Sequence, residues 1–243
     1  MFDLTGKAAL VTGASGGIGG AIARALHQQG AAVTLSGTRA EALEALKAEL
    51  GERAHVIVAK MDDPLDIERL AKEAEAAMGK IDILVNNAGI TRDNLSMRMK
   101  DEDWEKVLQV NLTGTFRLIR AAMRGMMRRR HGRVINITSV VGASGNAGQA
   151  NYAAAKAGIN GMTLAMARDL AADAIRVNTI LPGNFDTPLI TSVPADYKAD
   201  MRRWNLHPKR FGHPEEYASL ALELVRNPYF NAALVRLDGG ARL

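Results

Sequence analysis

Short runs of apolar and β-branched residues recur along the chain, with amphipathic stretches between them. The runs at residues 8–11, 33–36, 55–59, 81–86, 134–138, 176–181 and 234–237 are too short for helices and predict strands. The stretches at 18–29, 39–50, 65–78, 102–129, 151–172 and 214–226 repeat their apolar residues at helical spacing. Strands alternating with helices predict a parallel sheet, because each parallel return needs a crossover and the helix supplies it. The fold class is α/β, with helices on both faces of the sheet. No Pro- or Ser-rich linker and no fixed-period repeat interrupts the pattern, so residues 1–243 read as one domain. Only residues 184–214 lack a period. They mix prolines, charges, Trp204 and two histidines, which predicts a mobile cover over a site; an ordinary surface connection is the alternative.

Composition narrows the chemistry. With no cysteine among 243 residues there is no disulfide framework, no thiolate metal site and no cysteine nucleophile, so a reducing cytoplasm and no metal centre are expected. No run approaches the roughly 20 apolar residues of a membrane span, and the N-terminal sequence has no secretory pattern. The net charge of +5 is uneven: between Arg117 and Arg133 lie seven arginines and no acid, which leaves the remainder of the chain slightly acidic. A general nucleic-acid-binding surface is therefore not expected, although a local basic patch is.

Thr12-Gly-Ala-Ser-Gly-Gly-Ile-Gly19 follows the first predicted strand and opens a helix whose apolar residues Ile18, Ile22 and Leu26 are four apart. Glycines at 13, 17 and 19 allow a sharp turn, a close backbone approach to a pyrophosphate and tight packing of helix on strand. Position within the first βαβ unit makes this a dinucleotide site rather than a simple tight turn. The second strand ends Ser36-Gly37-Thr38-Arg39, with no acid to accept from a ribose 2′-hydroxyl and with a cation for a 2′-phosphate. NADP(H) is expected over NAD(H). Thr38-Arg-Ala-Glu41 also reads as a helix capping box.

Tyr152 and Lys156 stand four apart, on one helix face. Ser139 ends the fifth strand, where open α/β folds bind ligands, and Asn111 sits mid-helix with no propensity reason to be there. With the glycine turn and Asn86-Asn-Ala-Gly89, these residues resemble the short-chain dehydrogenase/reductase family over essentially the whole chain. The resemblance implies a doubly wound Rossmann fold with a seven-stranded parallel sheet, a homotetramer joined through two long helices, and a catalytic tetrad of Asn111, Ser139, Tyr152 and Lys156. Tyr152 would protonate a carbonyl oxygen, with the Lys156 cation lowering its pKa; Ser139 would hold that oxygen and Asn111 would anchor a water. The resemblance assigns Gly13, Ser15, Gly17, Ile18, Gly19, Thr38, Arg39, Met61, Asn87, Ala88, Gly89, Tyr152, Lys156, Pro182, Gly183, Phe185 and Thr187 to the cofactor. Ser139, Gln149 and Tyr152 fall to the substrate.

Up to about residue 160, segments such as Asn86-Asn-Ala-Gly-Ile-Thr-Arg-Asp-Asn-Leu95 are most similar to bacterial 3-oxoacyl-[acyl-carrier-protein] reductases; later ones, such as Pro182-Gly-Asn-Phe-Asp-Thr187, resemble NAD-dependent 3-hydroxyacyl-CoA dehydrogenases. Both imply an acyl thioester substrate. Reduction of 3-oxoacyl thioesters with NADPH is the expected reaction, the NAD-dependent dehydrogenase is the alternative, and a non-catalytic dinucleotide-binding scaffold is the rival of another class. An acidic acyl carrier protein would dock at Arg129 and Arg130, with Asp173 standing where the reductases carry a second arginine. Lys60 replaces the family's usual Asp or Asn near the adenine and can donate but not accept.

Overall fold

In the computed structural model, which describes residues 3–191 and 195–241, β1 (Ala8–Thr12) lies at the centre of the sheet because both its faces are apolar. It pairs in parallel with β2 (Ala32–Gly37) on one side and β4 (Ile83–Asn86) on the other. β3 (Ala54–Val58) adds beyond β2, and β5 (Gly132–Ile137), β6 (Ile175–Pro182) and β7 (Leu234–Leu237) add beyond β4. The order is therefore β3-β2-β1-β4-β5-β6-β7, all parallel, as the alternating pattern predicts. Chain direction across the sheet reverses between β1 and β4, which opens a crevice at their carboxyl ends.

Helices cover both faces. On one, α1 (Gly17–Gln28) and α2 (Ala40–Leu50) bury Ile22, Leu26 and Leu43 over β1 and β2, and α10 (Pro214–Arg226) packs beside α1 and buries Leu224 toward β5 and β6. On the other, α3 (Pro64–Met78), α5 (Gly114–Arg129) and α7 (Ala150–Asp169) bury Ile67, Leu118, Met126 and Met166. The predicted helix over 102–129 begins as α4 (Asp101–Leu108), widens into a single π-turn over Gln109–Thr113, and continues as α5. Gly114 follows the π-turn because a Cβ there would collide with the Met61 carbonyl.

The capping-box expectation fails. α2 starts at Ala40 with Arg39 at the N-cap and no side-chain cap bond, because Thr38 faces the cavity described below. After β5 comes the short α6 (Val141–Ser144). The segment without a period is largely helical, with α8 (Pro188–Thr191) and α9 (Ala195–Trp204); residues 192–194 of that expected cover lie outside the described residues. Polar residues dominate α9, and Met201 is its only buried apolar side chain among those described, which is why no amphipathic period appears. Arg176 is buried at the end of α10, donating from Nη1 to the carbonyls of Leu224, Asn227 and Phe230 at 3.0, 2.5 and 2.9 Å and from Nη2 to that of Val225 at 2.6 Å. No helix among the described residues is long and apolar enough to cross a membrane.

Candidate active site

At the crevice, β1 passes through Thr12 into Gly13, whose φ of +63° turns the chain sharply. A Cβ on Gly13 would meet Asn87 Nδ2 at 2.7 Å, and one on Gly19 would strike the Gly13 carbonyl. Thr12 Oγ1 accepts from the amides of Asn87 and Ala88 at 3.0 and 3.1 Å, which pins the segment after β4 against the turn. Asn87 Nδ2 answers by donating to the carbonyls of Thr12 and Gly13, both at 3.1 Å. Between these elements lies a cavity of about 570 Å³ running from Ser15 past Thr38 and Arg39 to Met61, and from Gly13 to Ala88 and Gly89. Arg39 spans its rim and donates from Nη2 to the Ser15 carbonyl at 2.5 Å. A dinucleotide fits this cradle: glycine backbone at the helix start for a pyrophosphate, and no acid at Gly37 to repel a 2′-phosphate.

The other cofactor residues named from sequence do not line the cavity. Ile18 packs on the core, Gly17 lies under Thr187, and Gly183 lies against Asp238. The Pro182 carbonyl accepts from Val140 at 3.0 Å. Phe185 is buried, with its ring edge-on to Tyr217 at 5.2 Å.

The four tetrad residues come together beside Gly89. Lys156 is buried, donates from Nζ to the Ile137 carbonyl at 2.9 Å, and lies 5.5 Å from the Tyr152 ring centre. Ser139 hydrogen-bonds the Tyr152 hydroxyl and accepts from the Val141 amide at 3.2 Å. Asn111, fully buried in the π-turn, binds the backbone of Ile90 through both ends of its amide. The expected direction of the tyrosine shift is corrected: burial pushes Tyr152 up to about 12 against the opposing hydrogen bond from Ser139, and burial brings Lys156 down to about 8. Tyr152 thus keeps its hydroxyl proton at neutral pH.

A family model described as short chain dehydrogenase matches residues 7–198. The chain belongs to the short-chain dehydrogenases. It is 48% identical over 242 residues to nodulation protein G of Rhizobium sp. (strain N33) and 46% identical over 243 residues to that of Rhizobium meliloti (strain 1021), with 99% of this chain and 98% of each relative covered. It is 44% identical over 240 residues to the 3-oxoacyl-[acyl-carrier-protein] reductase FabG of Escherichia coli (strain K12), covering 98% of both chains. The matches run through the last third as well as the first two. Membership makes the chain an NAD(P)-dependent oxidoreductase acting on a CH–OH group or its carbonyl.

Three groups of this short-chain dehydrogenase escaped the sequence reading. Asn151 is fully buried; its Nδ2 donates to the carbonyls of Arg92 and Asp103 at 2.9 and 3.3 Å, and its Oδ1 accepts from the Tyr152 amide at 2.7 Å, so it fixes the start of α7. Asn86, Asn136, Thr163 and Thr179 form a buried hydrogen-bonded ladder from β4 to β6. Two polar residues inside strands otherwise buried and apolar were the available signal. Asp62 lines the cavity beside Lys60 and is held by Lys106, placing an acceptor two residues past the position where the sequence lacks one. Gln149, assigned to the substrate, spends its amide on Asp93 Oδ2 at 2.9 Å and on Asn146 Nδ2 at 3.0 Å.

The expected docking pair divides. Arg129 turns inward to Glu75 Oε1 at 3.1 Å and to the Ile81 carbonyl at 2.8 Å. Arg130 remains exposed and donates to the Ala172 carbonyl at 2.8 Å, next to Asp173.

Proposed function

We propose that the chain reduces 3-oxoacyl thioesters to 3-hydroxyacyl thioesters with NADPH. The observation that carries this reading is a half-buried, protonated Tyr152 with Ser139 and Lys156 beside the Gly89 side of the dinucleotide cavity, in a chain 44% identical to a 3-oxoacyl-[acyl-carrier-protein] reductase. A reduced nicotinamide dinucleotide would be held by Gly13, Ser15 and Ala88 among the cavity residues and would supply the hydride that the carbonyl carbon needs. Tyr152 gives its hydroxyl proton to the carbonyl oxygen, which Ser139 orients by hydrogen bonding. Lys156 stabilises the phenolate that results and holds the ribose, and Asn111 shapes the backbone around a water that returns the proton. Gly13, Ser15, Gly17, Ile18, Gly19, Met61, Asn87, Ala88, Gly89, Pro182, Gly183, Phe185 and Thr187 form the cofactor's surroundings, while Thr38 and Arg39 favour the 2′-phosphate. Gln149 borders the substrate. Among carriers, Arg130 attracts an acidic acyl carrier protein and Asp173 repels it, so CoA thioesters are accepted as readily as carrier-bound ones.

The test follows oxidation of NADPH and of NADH with acetoacetyl-CoA and with a 3-oxoacyl carrier protein. Turnover of both thioesters with NADPH preferred is the expected result. Failure with both thioesters overturns the reading, and a preference for NADH with the CoA ester favours the dehydrogenase instead.

A further inference from the structure

The arginine-rich segment has a use that the active site leaves unassigned. Arg117, Arg120, Arg124 and Arg128 stand three, four and four residues apart on α5 and line a groove of about 490 Å³ whose other wall is α3. At 1.5 Å per residue they extend over about 16 Å. Lys72 adds a fifth cation from α3. Against them stand only Glu68 and Glu75, and Glu75 is already held by Arg129 at 3.1 Å. Among the described residues none of the four arginines has an ion-pair partner; Arg120 lies over the Phe116 ring at 5.3 Å, and Arg117 Nη1 is buried with no hydrogen-bond partner. Like charges at this spacing repel along the helix, so the arrangement costs stability until an anion fills it.

The groove's volume matches a small-molecule site, and Ile67, Ala71 and Ala121 provide apolar wall between the charged rows. Guanidinium forks pair bidentately with phosphate oxygens, and a row of them suits several linked phosphates better than a single one. The groove shares no lining residue with the dinucleotide cavity. We propose that the α3–α5 groove is a second ligand site that binds an oligophosphate, either an inorganic chain or the phosphate chain of a nucleotide.

The experiment titrates inorganic tripolyphosphate into the full-length protein saturated with NADPH, so that the glycine turn is already filled. One equivalent should bind, with an affinity that falls steeply as salt rises. Replacing both Arg117→Gln and Arg124→Gln should weaken binding by at least about tenfold while NADPH affinity stays unchanged and the Tm of the tripolyphosphate-free protein holds or rises, as relief of the repulsion requires. Glu68→Gln, which removes an opposing charge, should tighten it. A parallel titration with ATP separates the sources: tighter binding of ATP assigns the apolar wall to a nucleoside, and equal binding assigns the phosphate chain alone. The proposal fails if tripolyphosphate does not bind the NADPH-saturated protein, or if the double variant binds it undiminished.

Discussion

Asn111 closes both ends of its side-chain amide on one residue: Oδ1 accepts from the Ile90 amide at 2.8 Å, and Nδ2 donates to the Ile90 carbonyl at 2.9 Å. The side chain imitates a neighbouring strand and ties the segment after β4 to the helix beside it. Asn111→Leu leaves both backbone groups of Ile90 without partners, so a loss of about 2–4 kcal/mol is expected by urea unfolding, together with a loss of turnover. An unchanged midpoint would show that water replaces the amide.

Removing the hydroxyl of Tyr152 tests the proton donor. Tyr152→Phe keeps the ring that packs beside Lys156, so the protein should fold and bind NADPH while turnover drops about 10²–10⁴-fold. Retained turnover would move the donor elsewhere.

Lys156 gives a pH signature. Its folded pKa of about 8 lies below its ordinary value of 10.5, so above pH 8 the unfolded chain binds the extra proton and stability rises with pH from this group until about 10.5. Relative to Lys156→Met, the cofactor-free wild type should therefore gain on the order of 3 kcal/mol across that window. Paired urea titrations at several pH values measure the difference, and a flat difference would mean that the ammonium is not desolvated.

Arg39 offers a test of the proposed cofactor choice. Because its guanidinium rests on the Ser15 carbonyl across the cavity rim, Arg39→Ala should raise KM for NADPH about tenfold or more and leave that for NADH nearly unchanged. Equal changes for both would reduce Arg39 to a part of the rim.

Arg176 bears on stability alone. Its four bonds satisfy carbonyls at and just beyond the end of α10, and Arg176→Met fills the volume but takes the guanidinium from the Leu224, Val225 and Asn227 carbonyls, while that of Phe230 keeps Asn178. A loss of about 3 kcal/mol in urea is expected, with kcat preserved at low temperature.

The parts legible in sequence are those set by local pattern. The predicted helix at 214–226 coincides with α10, and the strand at 234–237 with β7, because an apolar period and flanking turn residues suffice to define them. What escaped depends on neighbours distant in sequence. An apolar period over 102–129 is blind to one wider turn, and Thr38 gave up its cap because β3 and the glycine turn enclose it in a cavity. Proximity of a lysine in sequence also misjudged Tyr152, whose pKa is governed by how much protein surrounds it. Arg129 read as a free surface charge until α3 brought Glu75 to it.

The π-turn over Gln109–Thr113 also fixes helical phase. It adds one residue to a turn, so everything after it is rotated by about 100° relative to an uninterrupted helix. Straightening the turn with all its residues kept would swing Leu118, Ala122 and Met126 out of the core and carry the arginine row away from α3, whereas deleting one residue as well would leave α5 in phase and remove only the wider turn. The widened turn thus lets the helix hold one residue more than its regular course requires without losing the aim of α5, and the surplus is what presents Asn111 to Ile90.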